Sequence, residues 1–173
     1  MCIVIDTNTL PSVFKKESDN HAEFKPVLDW IINGKGKIIF GGTKYTNELK
    51  KYLNIFLQFK KAGKAVFISN EKVDADELFV STQIVDTDFD DQHIVSLLRV
   101  SGCKLICSLD KKAYPFFRHK LFYSSATNRP RIYSNSSNIS LLVDRHIADI
   151  CKPCSSTTKL QLKIIHSNKI WNS

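Results

Sequence analysis

Four acidic residues stand out by position. Asp6 follows the apolar run CIVI, and Asp110 follows KLICSL. Glu48 lies one helical turn beyond the loop that leaves KIIF, and Asp91, beside Asp88 and Asp90, opens the run DQHIVSLLRVSG. Each acid marks the end of a strand-like run or the beginning of a helix-like one. In open parallel sheets, ligands bind outside the carboxyl ends of the strands, so a fold alternating strands and helices would carry all four to one edge. Carboxylates gathered there repel each other, and burying them unpaired is costly. Divalent cations would offset that cost. Mg²⁺ or Mn²⁺ prefers hard oxygen ligands and is commonly held by one or two carboxylates plus phosphate. A pair of such ions about 4 Å apart can activate water and stabilise the leaving oxygen in phosphodiester hydrolysis.

The charge distribution agrees with that chemistry. The 173-residue chain carries a net +8, split as +5 over residues 1–70, −6 over 71–110 and +9 over 111–173. A negative segment between positive ones suits a metal-dependent nuclease, because the acids hold cations while Lys and Arg attract phosphate. The same pattern also describes a solvated acidic helix on a basic protein. With 43% hydrophobic and 24% charged residues, the composition is that of one globular domain with a real core. No basic segment leads into an apolar stretch at the start, and no apolar run nears the roughly 18 residues of a spanning helix. The expectation is a soluble, cytoplasmic protein with no membrane partner. Five cysteines, an odd number, are expected as reduced thiols.

The elements that must position the acids follow from periodicity. Continuous apolar runs predict buried parallel strands at 2–6, 37–40 and 104–108, a strand or extended connection at 65–69, and an edge strand at 131–134. Residues 7–14 read as a turn. A helix over 21–34 places Phe24, Val27, Leu28, Ile31 and Ile32 on one face, with Asp19 or Asn20 as cap and Gly34 as stop. One long amphipathic helix is predicted over 43–61, with further helices over 74–84, 90–102 and 137–151. Residues 134–140 and 155–158 are Ser/Thr/Asn-rich loops, and 166–173 is a loose tail or a final packed strand. Strands alternating with helices indicate a three-layer α/β/α domain with a central, mainly parallel sheet. The domain is placed at 1–150, with 151–173 as a C-terminal tail that could pack on it.

The segments IVIDTNTL, TNELKKYL and DDQHIVSLLRVSGCKLICSLD, in that order, resemble the PIN-domain ribonucleases, and NRPRIYSNSSNISLL resembles how one branch of that family continues. The resemblance covers roughly residues 1–145. It implies a PIN-like fold and a Mg²⁺- or Mn²⁺-dependent endoribonuclease. Asp6, Glu48, Asp91 and Asp110 match the family's catalytic acids. On that footing Asp6 and Asp110 are direct metal ligands on rigid strand ends, and Asp91 joins them from the first turn of its helix. Glu48 binds metal through water or orients the attacking water. Asn8 and Ser108 hydrogen-bond phosphate or metal-bound water, and Asp90 could share the work of Asp91. Leu109 stands where the branch often has a polar residue. The implied partners are RNA and, if the chain is the toxin of a toxin–antitoxin pair, an antitoxin protein. A homodimer is a further expectation.

Other residues carry weaker signals. Lys44 precedes Glu48 by one helical turn, and Arg118, Lys120, Arg129 and Arg131 follow the Asp110 strand, so these could grip an RNA backbone. Tyr114, Phe116 and Phe117 could stack bases, although core packing suits Phe116 and Phe117 better. His93 is expected to pack near the site. Cys151 and Cys154, with His146 and His166, could supply zinc ligands, but the spacings fit no established finger, and plain thiols are the expectation. Two other classes share the acids. One is a nucleic-acid-binding module without catalysis; the other is an α/β phosphoesterase.

Overall fold

A computed structural model describes residues 2–84, 86, 88–143 and 148–167. Its centre is a five-stranded, wholly parallel sheet in the order β3-β2-β1-β4-β5. The strands are β1 (Cys2–Ile5), β2 (Lys37–Gly41), β3 (Ala65–Ile68), β4 (Leu105–Cys107) and β5 (Arg131–Tyr133). Helices cover both faces, giving the expected three-layer α/β/α arrangement. β1 is buried at all four positions, which is why it reads as an unbroken apolar run. The chain lays β2 and β3 on one side of β1, then crosses over to lay β4 and β5 on the other. The order therefore reverses between β1 and β4. That crevice is where open α/β sheets take ligands. The register sets Ile5 opposite Cys107, and Cys107 opposite Tyr133, so Asp6 and Ser108 leave the sheet side by side.

The first departure from expectation is local. Residues 7–14 form a 3₁₀ turn, Thr7–Thr9, and the short helix α1 (Leu10–Phe14), with Pro11 in its first turn. Proline suits that position because its missing N–H has no partner there anyway. Helix α2 (His21–Ile32) buries Phe24, Val27 and Ile31 as predicted.

The single helix expected over 43–61 is broken into α3 (Thr43–Leu49), a 3₁₀ turn at Lys50–Tyr52, and α4 (Leu53–Lys61). Lys50 has φ +48°, a conformation that side chains adopt only at a cost of about 1–3 kcal/mol. The two halves are anchored separately. Tyr45 in α3 donates its hydroxyl to the Ile5 carbonyl at 2.5 Å. Phe56 and Phe59 in α4 pack on Phe14, and Phe56 also meets Phe40. Gly41 sets the entry to α3: a Cβ there would lie 2.1 Å from the Ile68 carbonyl oxygen, so only glycine permits this approach of β2 to β3.

Helix α5 (Asn70–Gln83) begins earlier than predicted, because only Val73 and Val80 are buried in it and its apolar period is faint. Helix α6 (Gln92–Ser101) ends at Gly102 in the left-handed conformation, as the sequence indicates. It packs against α5 and the sheet. Helix α7 (Tyr114–Phe117) follows the Asp110 turn.

The described residues of the stretch expected as one helix over 137–151 do not form an α-helix. Its described parts are 3₁₀ segments at Ser136–Leu141 and Asp149–Cys151, and 144–147 lie outside the described residues. Side chains there compete for the backbone. Asn135 accepts from the Ser137 N–H, and Asn138 accepts from the Ser134 N–H and hydroxyl.

Helix α8 (Lys159–His166) occupies a stretch given no helix by the sequence reading. Its start is a capping box between Thr158 and Gln161. Ile165 is fully buried, and Gln161 donates to the Ala62 carbonyl at the end of α4. The rest of the expected tail, 168–173, lies outside the described residues.

Candidate active site

Asp6 continues the β1 ladder, donating its N–H to the Cys107 carbonyl at 2.9 Å. The residue is only 2% exposed. One carboxylate oxygen accepts from the Asn8 N–H at 3.3 Å, and the other accepts from the Ser108 hydroxyl at 2.6 Å. The same hydroxyl accepts from the Asp110 N–H at 3.0 Å. Ser108 therefore bridges the two strand-end acids, one through its side chain and the other through its backbone. Thr9 ties the same loops again, accepting from the Leu109 N–H at 3.1 Å. Asp110 is half-buried, and its carboxylate accepts from the Lys112 N–H at 2.9 Å, which fixes the turn after β4. Tyr114 closes that turn by donating its hydroxyl to the Ser108 carbonyl at 2.7 Å.

Glu48 arrives from the other side on α3. One of its oxygens accepts from the Thr7 hydroxyl at 3.1 Å and lies 3.0 Å from His93 Nε2. A carboxylate can only accept, so the ring donates from Nε2. His93 is 1% exposed, and its Nδ1 has no hydrogen-bond partner. Burial holds the imidazole below its ordinary pKa, and the Glu48 carboxylate pulls the other way. A neutral ring with a bare Nδ1 fits that environment. His93 and Thr7 thus act as a brace for Glu48. Sequence reasoning left His93 as packing and overlooked Thr7, because the contacts span 45 and 41 residues.

Asp91 precedes α6, half-buried, and its side chain makes no capping hydrogen bond. Burial pushes its carboxyl up to about 7, and the charges of Asp6, Asp90, Asp110 and Glu48 add to the effect. Asp6 is also raised, by burial first, with Asp110 and Glu48 contributing and the Ser108 and Asn8 hydrogen bonds opposing. The four predicted acids therefore share one electrostatic field. Asp90 is exposed, and its carbonyl accepts from Lys44 Nζ at 2.8 Å. Lys44 therefore spends its ammonium on pinning α3 to the acidic loop. Asp88 is exposed, in a turn with Asp86.

Helix α5 adds two acids that sequence reasoning missed. Asp74 accepts from both the N–H and the hydroxyl of Thr43, so it caps α3, the helix that carries Glu48. Glu77 lines a cavity of about 530 Å³ with Lys44, Glu48, Lys50 and Asp74. A second cavity of about 490 Å³ holds Thr7, Asn8, Glu48 and Lys50. Glu48 and the strained Lys50 thus stand between two open clefts.

The donor set fits a hard divalent cation. It is all oxygen, the charges of Glu48 and Asp110 help raise both Asp6 and Asp91, and among the described residues no ammonium or guanidinium lies within 4.0 Å of Asp6, Asp91 or Asp110. Among those residues, no three His, Cys, Asp or Glu side chains form a group that could hold an ion. Mg²⁺ tolerates such a set, because it keeps several waters and takes one or two carboxylates.

The remaining expectations separate. Arg118, Arg129 and Arg131 line one cavity beyond Asp110, whereas Lys120 is exposed in a 3₁₀ turn. Phe117 is fully buried and Phe116 stacks on Phe89 at 4.7 Å, so both are packing residues. Cys151 is buried and Cys154 donates to its carbonyl, and both thiols are free. His166 is exposed, and His146 lies outside the described residues. Among the described residues no helix is long and apolar enough to cross a membrane. No family model, curated protein or solved structure matches this chain.

Proposed function

We propose that the protein is a divalent-metal-dependent endoribonuclease that hydrolyses RNA phosphodiester bonds. The observation that carries this reading is the Asp6–Ser108–Asp110 bridge in the crevice between β1 and β4, with Glu48 and Asp91 in the same field. The sequence resemblance to PIN-domain ribonucleases supports it. Asp6 and Asp110 would hold the cation from rigid strand ends, with Asp91 reaching it through bound water. Mg²⁺ or Mn²⁺, when bound, would supply a water of lowered pKa and stabilise charge on the leaving oxygen. Glu48, braced by Thr7 and His93, would orient the attacking water and accept its proton. Asn8, which is exposed, would donate to a phosphate oxygen.

The reading extends to a cytoplasmic toxin held in check by an antitoxin protein, acting as a homodimer. A basic domain around an acidic centre suits the free nuclease of such a pair. The test is Asp6→Asn and Asp110→Asn, assayed with Mg²⁺ or Mn²⁺ on single-stranded RNA, with chelator controls. Each variant should lose at least about 2.7 kcal/mol of transition-state stabilisation, a factor of about 100 in rate. Full activity in both would sink the assignment. RNA binding without cleavage would indicate a non-catalytic module, and turnover of small phosphoesters alone would indicate a phosphoesterase.

A further inference from the structure

Beyond the Asp110 turn, a cavity of about 530 Å³ opens beside edge strand β5. Arg118 from the end of α7, Arg129 from the 3₁₀ turn before β5, and Arg131 from β5 itself all line it, and no acid does. Among the described residues none of the three guanidinium groups has a carboxylate within 4.0 Å. Arg129 Nε is buried without a hydrogen-bond acceptor. Three like charges lining one concave space, one of them with a bare buried nitrogen, favour an anion that offsets their repulsion and partners that nitrogen. Guanidinium forks match phosphate oxygens bidentately. The size lies within the usual range for a small-ligand pocket, about 300–1,000 Å³. Tyr114 shares the wall, and its hydroxyl holds the carbonyl of Ser108, whose own hydroxyl holds Asp6. One residue therefore joins this cavity to the acidic crevice.

We propose that this cavity is a nucleotide subsite for single-stranded RNA. It takes one nucleotide flanking the scissile bond, with its phosphate on Arg118, Arg129 and Arg131 and its base against the Tyr114 ring. This rests on the ribonuclease reading for its substrate, but its test does not need cleavage. A base can enter the cavity only when unpaired, so duplex RNA is excluded from it. Thr127, Ser134 and Asn138 line the same space and offer neutral hydrogen-bonding groups for the ribose and base.

The test measures binding of the full chain in chelator to a fluorescent single-stranded oligoribonucleotide of about eight nucleotides. Uridine monophosphate, ribose 5-phosphate and inorganic phosphate serve as competitors. Arg118 and Arg131 are exposed, so Arg118→Ala and Arg131→Ala should fold. Each should weaken binding about tenfold and reduce the salt dependence by about 0.7 per lost contact. Arg129→Lys, which keeps the charge and loses the fork, should fall between these and the wild type. Tyr114→Ala should lower affinity for uridine monophosphate and leave ribose 5-phosphate unchanged. Lys61→Ala combined with Lys163→Ala removes exposed charge at the far end of the sheet, and serves as the control. Equal losses in this control and the arginine variants would overturn the proposal, as would equal competition by uridine monophosphate and inorganic phosphate. If the arginine variants lose binding while the wild type cleaves nothing with Mg²⁺ or Mn²⁺, the subsite stands and the nuclease reading fails.

Discussion

Asp91 is a carboxylate placed where folding alone disfavours it. Its side chain is half-buried, makes no capping hydrogen bond, and faces the charges of Asp6, Asp90, Asp110 and Glu48. With its carboxyl pushed from an ordinary 3.8 to about 7, the folded protein binds more protons than the unfolded chain between about pH 4 and pH 7. Stability therefore falls as pH rises through that window. The gap from 3.8 to about 7 caps the effect at about 4 kcal/mol, and partial solvation of the carboxylate reduces it to about 1–2 kcal/mol. Asp91→Asn removes the charge while keeping the shape. It forfeits about 0.3–1 kcal/mol of interaction with the α6 dipole, which leaves a net gain of about 1 kcal/mol. For a chain of this size that corresponds to about 2–4 °C in Tm.

The assay is thermal unfolding in chelator at pH 4 and pH 8. The variant should melt higher than wild type at pH 8 and approach it at pH 4, where the folded carboxyl is protonated and the unfolded one is roughly half protonated. Adding 10 mM-range Mg²⁺, roughly a hundredfold above a weak site's Kd, should stabilise wild type more than the variant, and the variant should lose RNA cleavage. A lower Tm than wild type at pH 8 in chelator would refute the reasoning, because the acid would then be an ordinary helix cap.

Two other perturbations probe the frame of the site. Lys50→Gly relieves the φ of +48° and should raise stability by about 1 kcal/mol in denaturant unfolding. Ser108→Ala removes the hydroxyl that donates to Asp6 and accepts from the Asp110 N–H. It should cost about 1.5–3 kcal/mol and, by raising Asp6 further, shift the acidic limb of the pH–rate profile to higher pH.

The fold was legible where burial is complete. β1, β2 and β4 read as strands because both faces are covered, and α6 read as a helix because Gly102 ends it in the one conformation glycine favours. Illegible parts depend on partners distant in sequence. Nothing local in TNELKKYLNIF announces a break at Lys50. The break arises because Tyr45 is held by Ile5, while Phe56 and Phe59 are held by Phe14. Helix α8 has one fully buried side chain, Ile165, too few for periodicity to show. Its Thr158–Gln161 box was the available signal. The 137–151 region failed for the opposite reason. Its apolar spacing suggested a helix, but Asn135 and Asn138 bind the backbone first.

The acids themselves were legible because strand ends are predictable, and the helix phase relative to His93 favoured Asp91, but whether Asp90 shares its work was not legible. Adjacent residues at a helix start point in different directions, and sequence alone does not show what the second one touches. In the structure Asp90 is exposed, and the group it offers to a neighbour is its carbonyl, taken by Lys44. Asp91 instead feels all three distant acids. The contact with Lys44 holds the Asp90 backbone, and the Asp90 charge adds to the rise in the pKa of Asp91. On this geometry Asp91 is the ligand candidate and Asp90 tunes it. The distinction gives the two residues opposite signatures: Asp90→Asn should lower the pKa of Asp91 and narrow the pH window over which stability is lost, whereas Asp91→Asn should abolish that window altogether.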